Sequence, residues 1–335
     1  MNNLVSNQER ISSWRVMTRK ESIAFQGNSF VTIQEGIQEI SSEAFQGMTE
    51  LEEVFLPKSL RKIGTKSFCG CVNLKNVSIK YGLKEIGCFA FDGCLHLKSL
   101  WLPKSVKSIG RCAFRNCRNL FEVNRLDDIL LGKCDAVDCH KGNPFCGCVS
   151  IPIDEMVVFQ KNLRFVPPKM KGIVVITNGV RFVGNYAFGD CSQMTKVVIP
   201  DTVIGIGEGA FSHCSNLIEV DFPDSLESIG FGAFVECRNL NRVRLSKKLV
   251  SIPDCAFQKC ESVSEIKFPK CLESIGECSF EDCKSLEKIH LPEGLSYLDW
   301  HAFGGCTNLK EVVFPKNVRH IDKNAFSGCH NLILD

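Results

Sequence analysis

"SIGECSFEDCKSLEKIHLPEGL", Ser274 to Leu295, decides the fold once its neighbours are laid beneath it. Its Phe280 has counterparts at Phe188, Phe211, Phe234, Phe257, Phe303 and Phe326, each 23 residues from the next. Upstream, Phe45, Phe68, Phe91 and Phe114 keep the same step. The other slots hold phase. Ile275, Phe280, Cys283, Leu286, Ile289 and Leu291, then Pro292, match Ile63, Phe68, Cys71, Leu74, Val77 and Ile79. The pattern is I-G-x-x-A-F-x-x-C-x-x-L-x-x-V-x-[LF]-P, and eleven copies keep its phase.

A 23-residue unit is too small to bury its apolar slots alone. Stacked units line equal slots into columns and share one core, so the period predicts a solenoid of the leucine-rich-repeat type. The L-x-x-V-x-[LF] stretch alternates at its end and reads as a short strand. Strands of successive coils would pair in parallel, about 4.8 Å apart. Proline at Pro57, Pro103, Pro200, Pro223, Pro269, Pro292 and Pro315 ends each strand, because it has no ladder N–H. The Ile-Gly step at Gly64, Gly207 and Gly230 predicts a bend on the opposite side, with Asp299 and Asp322 holding that place in the last repeats. The A-F-x-x-C segment is too short for a full helix and predicts a single helical or 3₁₀ turn. The expected architecture is a curved stack of short parallel strands joined by such turns.

"GIGEGAFSHCSNLIEVDFPDSL", Gly205 to Leu226, and its copies resemble the BspA-like leucine-rich repeats, over most of the chain. The resemblance implies a non-enzymatic, protein-binding scaffold of the adhesion type. Members of that family occur on the surface of, or are secreted by, host-associated bacteria and some parasitic protists.

Two places break the phase. Phe114 and Phe188 are 74 residues apart, which is no multiple of 23. Phe145, Cys148 and Ile151 restore the Phe, Cys and Leu slots after an insertion of eight residues. A further unit, shortened by three residues, is inferred before Ile173–Ile176. The organisation expected is one continuous solenoid. Residues 1–30 are an N-terminal cap segment, 31–126 and 173–335 are leucine-rich repeats, and 127–172 are an irregular insertion with degenerate repeats. The chain stops at "NLILD" with no polar capping sequence. A longer natural chain, or end-to-end self-association through that end, is the expectation.

Composition excludes several classes. The 335 residues are 44% hydrophobic and 23% charged, with a formal net charge of +2, so nothing global favours nucleic acid. No apolar run is long enough for membrane insertion, and the N-terminus carries no apolar signal region. G-x-S-x-G, G-x-x-x-x-G-K-[ST], H-E-x-x-H and G-x-G-x-x-G after a strand are all missing, so neither an enzyme nor a cofactor is expected.

Twenty cysteines need a reading of their own. Eleven share one slot: Cys71, Cys94, Cys117, Cys148, Cys191, Cys214, Cys237, Cys260, Cys283, Cys306 and Cys329. The first repeat puts Met48 there, an apolar filler that forms no disulfide, so the column reads as packing. Many unpaired thiols fit a reducing compartment, whereas the family resemblance points to the cell surface. Cys134, Cys139, His140 and Cys146 stand outside the column within 13 residues, as C-x4-C-H-x5-C. That spacing matches no common zinc finger, but it makes a metal-stapled or redox-responsive loop the alternative. A purely structural segment of a larger adhesin or effector is the remaining alternative.

Partner recognition is expected on the outward column of the strands. Phe55 and Trp101 are large apolar groups on an otherwise polar face. Arg242, Arg244, Lys267, Lys288 and His290 form a basic cluster over three coils. Aromatic residues and arginine are the usual interface anchors, so these seven residues are the candidate protein-binding site.

Overall fold

The structure is a computed structural model and describes residues 15–124, 126, 129, 143–151, 154–316 and 318–333. Each coil carries two short strands, and each strand position stacks into its own parallel ladder. The front ladder is the L-x-x-V-x-[LF] stretch. Phe30–Thr32, Glu53–Phe55 and Asn76–Ser78 pair in register, Phe30 opposite Glu53 and Glu53 opposite Asn76. Further on, Glu219, Arg242 and Glu265 align in the same way. The offset is one repeat.

A second ladder forms where the sequence predicts only a bend. The dipeptides before the glycine slot, such as Lys62–Ile63, Glu85–Ile86 and Ser108–Ile109, pair in parallel to make a back ladder. The glycines serve close approach rather than an unusual dihedral. A Cβ on Gly64, Gly87, Gly110 or Gly230 would come within 2.4–2.6 Å of a backbone nitrogen of the preceding coil. At these four positions the missing side chain is what lets the backbones pack so closely.

The A-F-x-x-C segment is a run of turns, not a helix. Ala44, Gln46 and Met48 donate N–H bonds to the carbonyls three residues earlier, as in a 3₁₀ turn. The run is broken because Glu43, Lys66, Phe89, Cys112, Tyr186, Cys255, Cys278 and His301 all have φ between 52° and 60°. That left-handed slot turns the chain towards the next coil.

Inside, the phenylalanines stack. Rings of Phe45, Phe68, Phe91 and Phe114 lie 5.0–5.3 Å apart and within 7° of parallel. Phe211, Phe234, Phe257, Phe280 and Phe303 continue at 4.9–5.3 Å. Such pairs add about 0.5–1.5 kcal/mol each beyond burial. The cysteine slot lies beside the stack, and its thiols are buried. Away from the phase break each sulfur donates to the Phe carbonyl of the preceding coil: Cys94 to Phe68 O at 3.3 Å, Cys214 to Phe188 O at 3.1 Å, Cys237 to Phe211 O at 3.1 Å; Cys191 instead meets Val166 O at 3.9 Å. The same residue donates its N–H onward, Phe68 to Ala90 O at 2.8 Å. Each coil therefore holds both backbone groups of one residue of its predecessor. Cysteine suits the slot because it is small and apolar yet carries a weak donor.

The phase break divides the core. One apolar cluster runs from Met17 to Phe165 and a second from Leu163 to Cys329. Between them Val166 takes the aromatic slot: its N–H donates to Ala187 O at 2.9 Å, as Phe188 N–H donates to Ala210 O. Val157–Phe159 and Asn162–Phe165 form a hairpin, the one antiparallel pair among the described residues. Its loop residues Gln160 and Lys161 have φ of 49° and 62°, both positive as in a type I′ turn. The seam is bridged by Arg111, which pairs with Glu208 and lies 5.8 Å from the Phe89 ring and 5.7 Å from the Tyr186 ring. The Tyr186 hydroxyl donates to Glu208 at 3.2 Å.

At the N-terminal side, Arg15–Met17 adds a strand to the back ladder beside Ile37–Ile40, and Phe25 meets Phe45 at 6.3 Å. No helix among the described residues is long and apolar enough to cross a membrane.

Candidate functional site

The period-two alternation of the front ladder sends Val54, Val220, Val243 and Ile289 inward and their neighbours outward. Two of these outward neighbours are large and apolar: Phe55 is 44% exposed and Trp101 is 60% exposed. Phe30, one register step from Glu53, is 66% exposed on the same face. The sequence reading missed it because residue 30 fell in the segment assigned to the cap. Ile173 and Val175 are also exposed on the first strand after the phase break. Their signal was present, since "IVVI" is apolar at outward as well as inward positions.

Arg242, Arg244, Lys267, Lys288 and His290 all point outward, as the alternation requires. Arg242, Arg244, Lys247, Lys267 and half-buried Phe268 line one shallow groove, and Lys267, Lys288 and His290 line its neighbour. The charges are not a bare basic patch. Arg242 contacts Glu219 at 3.0 Å and Asp221 at 3.6 Å, Arg244 contacts Asp221 at 3.7 Å, Lys267 contacts Glu265 at 3.1 Å, and Lys288 contacts Glu311 at 2.7 Å. One outward column, Lys196, Glu219, Arg242, Glu265, Lys288 and Glu311, alternates in sign from coil to coil. Lys196 and Glu219 bond at 2.6 Å, which holds the Glu219 carboxyl below its ordinary range. Opposite charges one strand apart stabilise the pairing, and like charges would oppose it.

Cys134, Cys139 and His140 lie outside the described residues. Cys146 lies in the turn after Phe145, buried, with its sulfur 3.1 Å from Cys112 Sγ. Burial pushes the Cys146 thiol well up, with the Cys112 contact adding to the rise, so it is held as a neutral thiol at neutral pH. Among the described residues no group of three or more His, Cys, Asp or Glu side chains is placed to hold a metal, and every described cysteine is unpaired.

Comparison with known proteins places this geometry. The model of the BspA type leucine rich repeat region, in six copies, matches residues 20–130, 169–253 and 206–333. The chain is similar to a leucine-rich repeat protein from Eubacterium ventriosum, at 20% identity over 90% of this chain and 82% of that one, with a TM-score of 0.65. It is also similar to a leucine rich cell surface protein from Faecalibacterium prausnitzii, at 20% identity over 91% and 84%, with a TM-score of 0.51. These likenesses show the fold. No curated protein matches significantly. With its repeat phase, its stacked parallel ladders and a family match over most of its length, the chain belongs to the BspA-type leucine-rich repeat family.

Proposed function

We propose that this protein is a non-enzymatic scaffold that binds another protein, in the manner of an adhesin, through the outward face of its front ladder. The observation that carries the reading is the exposure of Phe55 and Trp101 on the front face, which Phe30 joins beside Phe55. Large rings projecting from a rigid sheet offer contact area at little cost in conformational entropy, which is what anchors an interface. The paired charges of the second half fit a rim that sets register more than affinity. Arg242 and Arg244 reach an acidic partner only by exchanging Glu219 and Asp221 for it. The salt dependence of binding is therefore smaller than five free cations would give.

The test is capture of partners by the full chain from the surface proteins of cells it contacts, followed by titration of the captured protein. Phe55→Ala and Trp101→Ala are each expected to weaken binding by about 1–2 kcal/mol or more. Arg242→Ala with Arg244→Ala is expected to weaken it more at low than at high salt. Binding that is indifferent to all four substitutions would place the partner elsewhere.

A further inference from the structure

The back ladder carries a second surface that the proposed partner face does not use. Its outward column runs Phe182, Gly205, Ser228, Ser251, Ser274, Tyr297. Two aromatic rings thus bound a floor of four small residues. Phe182 is 45% exposed and Tyr297 42% exposed. The Phe182 ring lies against Gly205, where a Cβ would stand 3.0 Å from its Cδ1. Phe182, Gly205 and Ser228 share one register, and Ser251, Ser274 and Tyr297 share another. Ladder bonding lapses between the two sets at Pro253, which holds the glycine slot without an N–H. The coils stay stacked there, with the Phe234 and Phe257 rings 5.3 Å apart.

The serines of this column differ from those elsewhere. Ser225 and Ser246 donate to carbonyls of the preceding coil, to Val203 O and Leu226 O. The hydroxyls of Ser228, Ser251 and Ser274 bond to no other described residue. They stand in a row about one coil apart, a step of roughly 5 Å by the ring spacings of those coils. At the Phe182 end the floor deepens into a cavity of about 230 Å³ lined by Asn143, Asn162, Arg164, Asn185 and Ser228. Asn162 Oδ1 is buried there without a hydrogen-bond partner among the described residues. A buried polar atom left unpaired is costly, so a ligand that pairs it gains accordingly.

Hydroxyls and carboxamides both donate and accept, which matches the hydroxyl groups of a sugar. Aromatic faces carry partial negative charge and take the C–H face of a pyranose ring. The coil step is close to the length of one hexose, so successive serines would meet successive sugars. Glu227 and Glu273 flank the middle of the row, Glu227 paired with Lys248 at 3.7 Å, while Arg181 and Arg164 stand at the Phe182 end, so the trough carries charge of neither sign alone and suits a neutral chain. We propose that this trough binds a linear chain of neutral sugars, with Phe182 and Tyr297 stacking on its ends and the serines bonding the hydroxyls between.

The experiment is calorimetric titration of the full chain with cellohexaose, maltohexaose and chitohexaose, long enough to span the six positions of the column, with a heparin-derived hexasaccharide as the anionic control. At least one neutral hexasaccharide is expected to bind, and Phe182→Ala and Tyr297→Ala each to weaken it about tenfold. Ser251→Arg, which fills the floor, is expected to abolish binding, and Trp101→Ala on the other ladder to leave it unchanged. Ser274→Arg is a second block should the first variant not fold, as judged by circular dichroism. Failure of all three neutral sugars to bind, binding that survives both arginine blocks, or binding of the heparin fragment alone overturns the proposal.

Discussion

Cys237 shows what the repeated thiol contributes. It is buried, donates to Phe211 O at 3.1 Å, and shares that carbonyl with Cys214 N–H at 3.3 Å. Cys237→Ala leaves the carbonyl one donor and opens a small gap, so chemical denaturation should show a loss of about 1–2 kcal/mol. Burial also pushes thiols inside the column up, Cys94 and Cys260 well above the ordinary value and Cys71 to about 12, so these resist modification in the folded state. Exposed Cys271 should react first with iodoacetamide, and those column cysteines only on unfolding; peptide mass mapping distinguishes them. Asp190 gives a pH signature. Burial raises its carboxyl above the ordinary 3.8, with the cations His213 and Arg115 opposing the rise, Asp92 adding to it and Arg118 opposing it. A raised carboxyl favours the protonated fold, so its stabilising effect is present below the ordinary value and is lost as pH rises through the folded one. Asp190→Asn, which tolerates the left-handed φ of 62° there, should gain on the wild type as pH rises from about 4 to about 7 in paired denaturant melts. At this scale the sequence was legible wherever a slot repeats one chemistry, as with Phe and Cys. The left-handed slot was not, because Glu43, Lys66, Phe89, Cys112 and Tyr186 share a dihedral and no side-chain property.

Strands and turns were legible for the same reason and failed at two points. The front strands follow from alternation. The back strands are only two residues long in most coils, too short for periodicity to reveal, and exist because the glycine after them lets coils approach. The hairpin at 157–165 carries no Asn-Gly or Asp-Gly signal; its second strand is held by Phe182–Val183 of the next coil, and the first strand folds back on it through the positive φ of Gln160 and Lys161. The seam next to it rests on contacts 97 residues apart, which no local pattern encodes. Arg111→Ala removes the Glu208 pair and both ring contacts, so a loss of about 1–3 kcal/mol is expected in thermal or urea unfolding. Arg111→Lys, which keeps the charge but not the planar stack, should recover only part of it. Of the candidate site, Phe55 and Trp101 were legible as outward aromatics. The pairing of Arg242, Arg244 and Lys288 was not, because it depends on carboxylates of the neighbouring coils.

Across the whole molecule one coil is nearly interchangeable with the next, and ion pairs follow the same rule. Lys62 with Glu39, Lys75 with Glu52, and Lys310 with Glu287 each join residues 23 apart. Excision of residues 228–250 removes one period and joins Glu227 to Ser251, which takes over the slot of Ser228. That shortened chain should fold with unchanged circular dichroism per residue and a proportionally smaller urea m-value. An excision three residues shorter leaves the halves out of phase and should unfold at much lower denaturant. The grip between coils has a further consequence. Backbone donors of the turn point forward along the stack, Phe68 to Ala90, while the thiols point back, Cys94 to Phe68. An α-helix aligns its peptide dipoles and gathers partial charge at its ends as it lengthens. Here the forward turn donors are met by backward backbone donors at the back ladder, Gly87 to Ile63 O and Lys84 to Arg61 O, so bond dipoles oppose each other coil by coil. A stack of this kind can grow by duplication without building an axial field that would repel charge at one end and attract it at the other.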